Sequence, residues 1–163
     1  MAKYARSHGN KVTAVIGARK KEFLILEDEI QSVCDRLYVL TDDGSWGRKG
    51  LVTDALKELL EKERFDVAYC VGPDMMMRAV CDVTRRYNLK TLVSLDANMV
   101  DATGMCGTCR VKVGSDVKFT CVDGPEFDGH LVDWDEFMKR QKRFVDEERR
   151  SLEFQGHKCR MVQ

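Results

Sequence analysis

Residues 67–77 read Val67-Ala68-Tyr69-Cys70-Val71-Gly72-Pro73-Asp74-Met75-Met76-Met77. A short apolar run stops at Gly72-Pro73, and apolar residues then recur at helical spacing through Met76, Met77, Val80 and Val83. A run too short for a buried helix, closed by a turn pair, reads as a buried strand feeding a helix. The same unit recurs on both sides. Val12–Ile16, Leu37–Leu40 and Thr91–Leu95 are further apolar runs, and Phe23–Val33 and the set Val52, Leu56, Leu59 and Leu60 have helical spacing between them. The order β-α-β-α-β-α-β predicts an α/β fold built on a parallel sheet. A short helix is expected over Ala2–Ser7. A last helix is expected from Asp133 to about Phe154, with Trp134, Phe137, Met138, Phe144, Val145 and Leu152 near one stripe.

The chain has 163 residues, 44% hydrophobic, which suffices for one substantial core and a small appendage. Its 27 basic and 27 acidic residues are interspersed, so the positive field that draws a protein onto nucleic acid is absent. No apolar run approaches the roughly 20 residues that span a bilayer, and the N-terminus has no apolar signal segment. A cytoplasmic protein with neither nucleic-acid nor membrane partner is therefore expected. In that setting seven cysteines point to metal rather than to disulfides.

From about Asp96 the pattern becomes rich in Gly and Cys. Asp101, Cys106, Cys109 and Cys121 are spaced D-x4-C-x2-C-x11-C. Plant-type 2Fe-2S sites use C-x4-C-x2-C and a distant Cys, so three ligands fit and aspartate stands at the first position. Gly104 and Gly107 allow a loop to turn its side chains inward and its N–H groups towards sulfide. A carboxylate is a harder donor than a thiolate, so a changed potential and a more labile iron are expected. A structural zinc site in a docking module uses the same C-x2-C pair and stays open, as do a redox disulfide and unligated cysteines. Cys34, Cys70 and Cys81 lie in apolar segments and read as core; Cys159 is unassigned. His8, His130 and His157 show no ligand spacing.

Two glycine-bearing loops follow strands, where ligands of parallel α/β sheets bind. In the first, Thr41, Asp42, Asp43, Gly44, Gly47 and Gly50 offer a hydroxyl, carboxylates and close-approach backbone, which suits an adenosine ribose. The carboxylates favour NAD(H) over NADP(H), unless Arg48 and Lys49 reverse the preference. In the second, Gly72, Pro73, Asp74 and Met75 are expected beneath the nicotinamide. Arg19 is expected to pair with Glu27 or Asp28 rather than with a phosphate.

Taken in order, Ile16-Gly17-Ala18-Arg19, Thr41-Asp42-Asp43-Gly44, Val71-Gly72-Pro73-Asp74-Met75-Met76 and the D-x4-C-x2-C-x11-C run resemble the C-terminal portion of a family of flavin- and 2Fe-2S-containing electron-transfer subunits. The family includes the dihydroorotate dehydrogenase electron-transfer subunit and the small subunit of NADH-dependent ferredoxin:NADP oxidoreductase, also called sulfide dehydrogenase. Aspartate at 101 resembles the latter. The resemblance implies a ferredoxin-reductase-like nucleotide-binding domain over residues 1–96, without its first strand and pyrophosphate loop. It implies a 2Fe-2S segment and C-terminal helix over residues 97–163. The implied cofactors are the cluster, NAD(H) and, in the full-length family member, FAD. The implied partners are a larger flavin and iron–sulfur oxidoreductase subunit and, indirectly, ferredoxin or a related carrier. The family's flavin barrel and Gly-Gly-x-Gly-x-x-Pro loop have no counterpart in this sequence, so hydride transfer by this chain alone is not expected.

Overall fold

A computed structural model describes residues 1–154 and divides the chain into two compact units, Met1–Asp66 and the residues from Val67 onward. Cys159 and His157 lie outside the described residues.

The first unit contains α1 (Ala2–Ser7), β1 (Thr13–Ala18), α2 (Glu27–Val33), β2 (Arg36–Thr41), β3 (Arg48–Lys49) and α3 (Val52–Lys62). β1 and β2 run parallel, from Thr13 opposite Arg36 to Ala18 opposite Thr41, because a helical crossover returns the chain to the same end of the sheet. Leu40, Ala55 and Leu59 are buried between helix and sheet. Gly17 permits that approach, since a β-carbon there would stand 2.4 Å from a Val52 methyl. The Asp54 carboxylate accepts the Leu51 N–H at 3.1 Å and so satisfies an orphan donor where α3 begins. The expected helix over Phe23–Val33 is shorter than its spacing implies. Lys21–Phe23 forms one 3-10 turn, Leu26 adopts a left-handed φ of 58°, and α-helix starts only at Glu27.

The second unit contains β4 (Ala68–Val71), α4 (Asp74–Arg86), β5 (Thr91–Ser94), β6 (Arg110–Val113), β7 (Asp116–Phe119), α5 (Thr120–Asp123), β8 (Glu126–Asp128), α6 (Trp134–Gln141) and α7 (Val145–Glu153). β4 and β5 are parallel, β8 pairs antiparallel with β5, and β6–β7 is a hairpin. All four expected strands form. Within the first unit β1 pairs parallel with β2, and within the second β4 pairs parallel with β5. Met77, Cys81, Val93, Val111 and Phe137 make the centre of this unit's core. Thr84 and Thr91 are buried with them, joined through their hydroxyls at 2.7 Å, and His130 Nε2 meets Thr84 Oγ at 3.0 Å. His130 therefore serves the core.

The last helix is interrupted. α6 starts where Asp133 accepts the Glu136 N–H at 3.0 Å, and it ends at Gln141; Lys142–Phe144 is a 3-10 turn before α7. Trp134 and Phe137 are buried edge to face, with centroids 6.2 Å apart. Phe144, Val145 and Leu152 are exposed, so the apolar stripe meets a core only along α6. Among the described residues no helix is long and apolar enough to cross a membrane.

Candidate metal centre

The chain leaves β5 into a long loop that runs to Cys109, and the end of α6 holds its first part. Gln141 Nε2 donates to the Asp96 carbonyl, and Asn98 N–H donates to Gln141 Oε1 at 3.1 Å. The loop then organises itself. The Asp101 carboxylate accepts the N–H groups of Thr103 at 3.0 Å and Cys106 at 2.8 Å. These bonds, that from Thr103 foremost, hold its pKa below the ordinary carboxylate range. Ala102, Gly104 and Gly107 all have positive φ, which turns the chain back on itself.

Cys106 is exposed, and hydrogen bonding from Thr108 lowers its pKa; its Sγ accepts the Thr108 N–H at 3.5 Å. Cys109 is 3% exposed, at the start of the β6–β7 hairpin. The turn of that hairpin brings α5 back beside it, so that Cys109 Sγ and Cys121 Sγ lie 3.3 Å apart. Two bonds fix this return: the Cys109 carbonyl accepts the Thr120 N–H at 3.1 Å and its hydroxyl at 2.9 Å. The thiol contact raises the Cys121 pKa, because a second thiolate beside the first is disfavoured.

The four side chains thus stand as two pairs. Asp101 joins Cys106 through the latter's backbone, and Cys109 joins Cys121 through sulfur. Among the described residues no group of three or more His, Cys, Asp or Glu side chains is arranged to hold a metal ion. The donor chemistry, a carboxylate and two thiols on a loop with left-handed turns and local N–H donors and a third thiol returned by α5, fits an iron–sulfur cluster.

In the metal-free chain at pH 8, iodoacetamide is expected to modify Cys106 first. Burial pushes the thiols of Cys70 and Cys81 up to about 11 and about 12, so both remain protonated and protected. Peptide mass mapping against time checks the order.

The two glycine-bearing loops belong to different units. In the first unit, Thr41 is fully buried; its hydroxyl donates to the Trp46 carbonyl at 2.7 Å and accepts the Trp46 N–H at 3.1 Å, so it braces the loop from within. Asp43 accepts the Ser45 N–H at 2.9 Å, and hydrogen bonding from Ser45 lowers its pKa. Asp42 is exposed. Gly47 has φ 61°, and a β-carbon there would stand 2.3 Å from the Val39 carbonyl oxygen, which confines the position to glycine; Gly44 and Gly50 also have positive φ. Arg48 is engaged by Glu58. Arg19 forms no ion pair among the described residues, contrary to the expected pairing, and Glu27 instead accepts Trp46 Nε1–H at 3.0 Å. In the second unit, Gly72 has φ 153°, Pro73 caps α4, and Met75 is exposed while Met77 is buried. Asp74 has a raised pKa, first from burial and then from the nearby Asp96 carboxylate.

Residues 96–133 match the iron–sulfur cluster binding domain of dihydroorotate dehydrogenase B. Along about half of their length, the dihydroorotate dehydrogenase B electron-transfer subunits are similar to this chain. It is 48% identical over 153 residues to the electron transfer subunit homolog of dihydroorotate dehydrogenase B (NAD(+)) from Thermotoga maritima, covering 94% of this chain and 54% of that protein. It is 37% identical to the probable subunit from Methanocaldococcus jannaschii, over 83% of this chain and 51% of that one. A chain from a solved NADH-dependent reduced ferredoxin-NADP oxidoreductase, studied for flavin-based electron bifurcation, superposes with a TM-score of 0.84 at 47% identity; 93% of this chain and 55% of that one are covered. The chain thus spans about half the length of the relatives it matches. The ferredoxin-reductase-like resemblance, with its α/β fold, iron–sulfur segment and C-terminal helix, is shared with these electron-transfer subunits.

Sequence reasoning missed Arg140 and Gln141, which hold the cysteine loop, and the Thr120 bonds that bring Cys121 to Cys109. The only sequence signal of Arg140 and Gln141 is polar character in the last turn of an amphipathic helix, which every solvated helix shares.

Proposed function

We propose that this chain is the cluster-bearing portion of a cytoplasmic electron-transfer subunit, passing electrons between NAD(H) and FAD and a larger flavin and iron–sulfur partner subunit, with ferredoxin or a related carrier reached through that partner. The carrying observation is the 3.3 Å contact of Cys109 and Cys121, inside a segment that matches an iron–sulfur binding domain. In this reading Asp101, Cys106, Cys109 and Cys121 hold a 2Fe-2S cluster. Each iron needs two protein donors besides the bridging sulfides, and the chain supplies its donors as two pairs. The cluster, when bound, supplies one-electron chemistry to a two-electron donor. The chain's own residues hold it: the 102–108 loop turns its N–H groups inward, and the hairpin return buries Cys109 away from water.

Residues 1–96 serve as the NAD-binding-like domain and residues 97–163 as the cluster segment. In this reading the Thr41–Gly50 loop offers Asp42 to a ribose, and the Gly72–Met75 turn, with Met75 exposed, is a separate candidate for contact with a nicotinamide. Arg48 is already paired with Glu58, so it does not favour a 2′-phosphate, which supports NAD(H).

Anaerobically purified protein is expected to be brown, with iron and acid-labile sulfide at about two of each per chain, and to bleach with dithionite. Stoichiometric zinc without sulfide would instead establish a zinc-stabilised docking module. Asp101→Cys is expected to keep the cluster and change its midpoint potential, read by a redox titration followed by electron paramagnetic resonance. An unchanged potential would remove Asp101 from the ligand set.

A further inference from the structure

The side chain of Arg140 lies where α6 meets the cysteine loop. Its Nη2 donates to the carbonyls of Thr108 at 3.1 Å and Gly107 at 3.3 Å, the two residues between Cys106 and Cys109. Its Nε is buried and has no hydrogen-bond partner among the described residues. Burying a guanidinium nitrogen without a partner costs stability, and such a group is retained where it does something else. The Thr108 carbonyl that Arg140 holds belongs to the residue just before Cys109, which brings the guanidinium to that end of the loop. Glu136, Lys139, Arg140 and Arg143 line one open cleft of about 380 Å³, so positive charge predominates there.

We propose that Arg140 is a positioning residue for the iron–sulfur site: it braces the Gly107-Thr108 turn from α6, and its fixed charge beside Cys109 favours the reduced, more negative cluster. The proposal rests on the 2Fe-2S reading of the loop. The brace is bidentate in effect, because one nitrogen spans two adjacent carbonyls, and it sets the direction from which Cys106 and Cys109 leave the backbone. Gln141, the next residue, holds the start of the same loop at Asp96 and Asn98. The end of α6 therefore grips the loop at two places, and only Arg140 brings charge to it. A cation close to a redox centre stabilises the form with the extra electron, most strongly where water is excluded.

The test uses the full chain, with Arg140→Met to keep the length and remove the charge, and Arg140→Lys to keep the charge and remove the fork. Arg140→Met is expected to move the midpoint potential to more negative values and to release iron to a chelator about tenfold faster. Arg140→Lys is expected to restore the potential towards that of the unsubstituted protein while still releasing iron faster. A merely structural residue would alter release and leave the potential in place, so an unchanged potential in Arg140→Met overturns the assigned charge role. The brace is read without a cluster: Cys109 in the metal-free chain is expected to be alkylated about tenfold faster in Arg140→Met, and an unchanged rate overturns it. Absence of iron and sulfide from the unsubstituted protein is a separate result. It removes the cluster reading, and the alkylation rate then decides the brace alone.

Discussion

Cys109→Ser is expected to abolish iron and sulfide binding and the visible absorbance, while the protein remains folded. Cys109 is 3% exposed and its sulfur is 3.3 Å from that of Cys121, so its replacement removes one of the proposed ligands and leaves Cys121 without its sulfur neighbour. A serine oxygen is a harder donor with a far higher pKa than a thiol, and at neutral pH it remains a hydroxyl. Even the loss of a supporting group around a metal site typically costs about 10–100-fold in affinity, and the loss of a direct ligand costs more. The fold survives because the bonds that return α5 to this position come from the Cys109 carbonyl, which accepts the Thr120 amide and hydroxyl and is unaltered by the substitution. Iron and sulfide analysis with far-ultraviolet circular dichroism separates the two effects. Cys34→Ala, at a buried cysteine remote in sequence from the loop, is expected to keep its iron. Full iron content in Cys109→Ser would exclude Cys109 as a ligand.

Phe137→Ala is expected to cost about 4 kcal/mol in the stability of the second unit. Phe137 is 2% exposed and packs edge-on against Trp134, whose Nε1–H donates to the Gly129 carbonyl at 3.0 Å. Truncation opens a cavity that this tightly bonded neighbourhood cannot collapse to fill. The same helix carries Arg140 and Gln141, so the loss reaches the cysteine loop: Arg140 and Gln141 hold their carbonyl partners only while α6 stays seated. Urea unfolding of the metal-free chain is expected to show a lower midpoint, and iron release from the loaded protein is expected to accelerate in parallel. A fall below 1 kcal/mol would mean that α6 does not depend on this contact.

Much of the fold was legible because its signals are local. Each of the four β-branched or apolar runs became a strand, since a run of four to six such residues is too short to bury as a helix and suits the pleat. Gly72-Pro73 marked the start of α4 because proline fits a helix opening and glycine permits the positive φ just before it. The iron–sulfur segment was legible for a related reason: cysteine spacing along a loop is a local pattern, and residues 96–133 match an iron–sulfur cluster binding domain.

Other features escaped because they depend on partners distant in sequence. Helical spacing in Phe23–Val33 did not reveal that Leu26 would adopt a left-handed conformation, and the apolar stripe to Phe154 did not reveal that only its first two turns have a core to cover. The sequence offers Thr41 as a ligand group, and its hydroxyl is engaged by Trp46 five residues on. Alone, the sequence determined the α/β alternation, the cysteine–aspartate spacing and the kinship with iron–sulfur electron-transfer subunits, all set by short-range sterics and donor chemistry. Tertiary structure decided which strands pair, that Cys121 returns to Cys109, and that Arg140 reaches the carbonyls between the cysteines. Those outcomes depend on packing and hydrogen bonds between residues 12 to 46 positions apart, which no local pattern encodes.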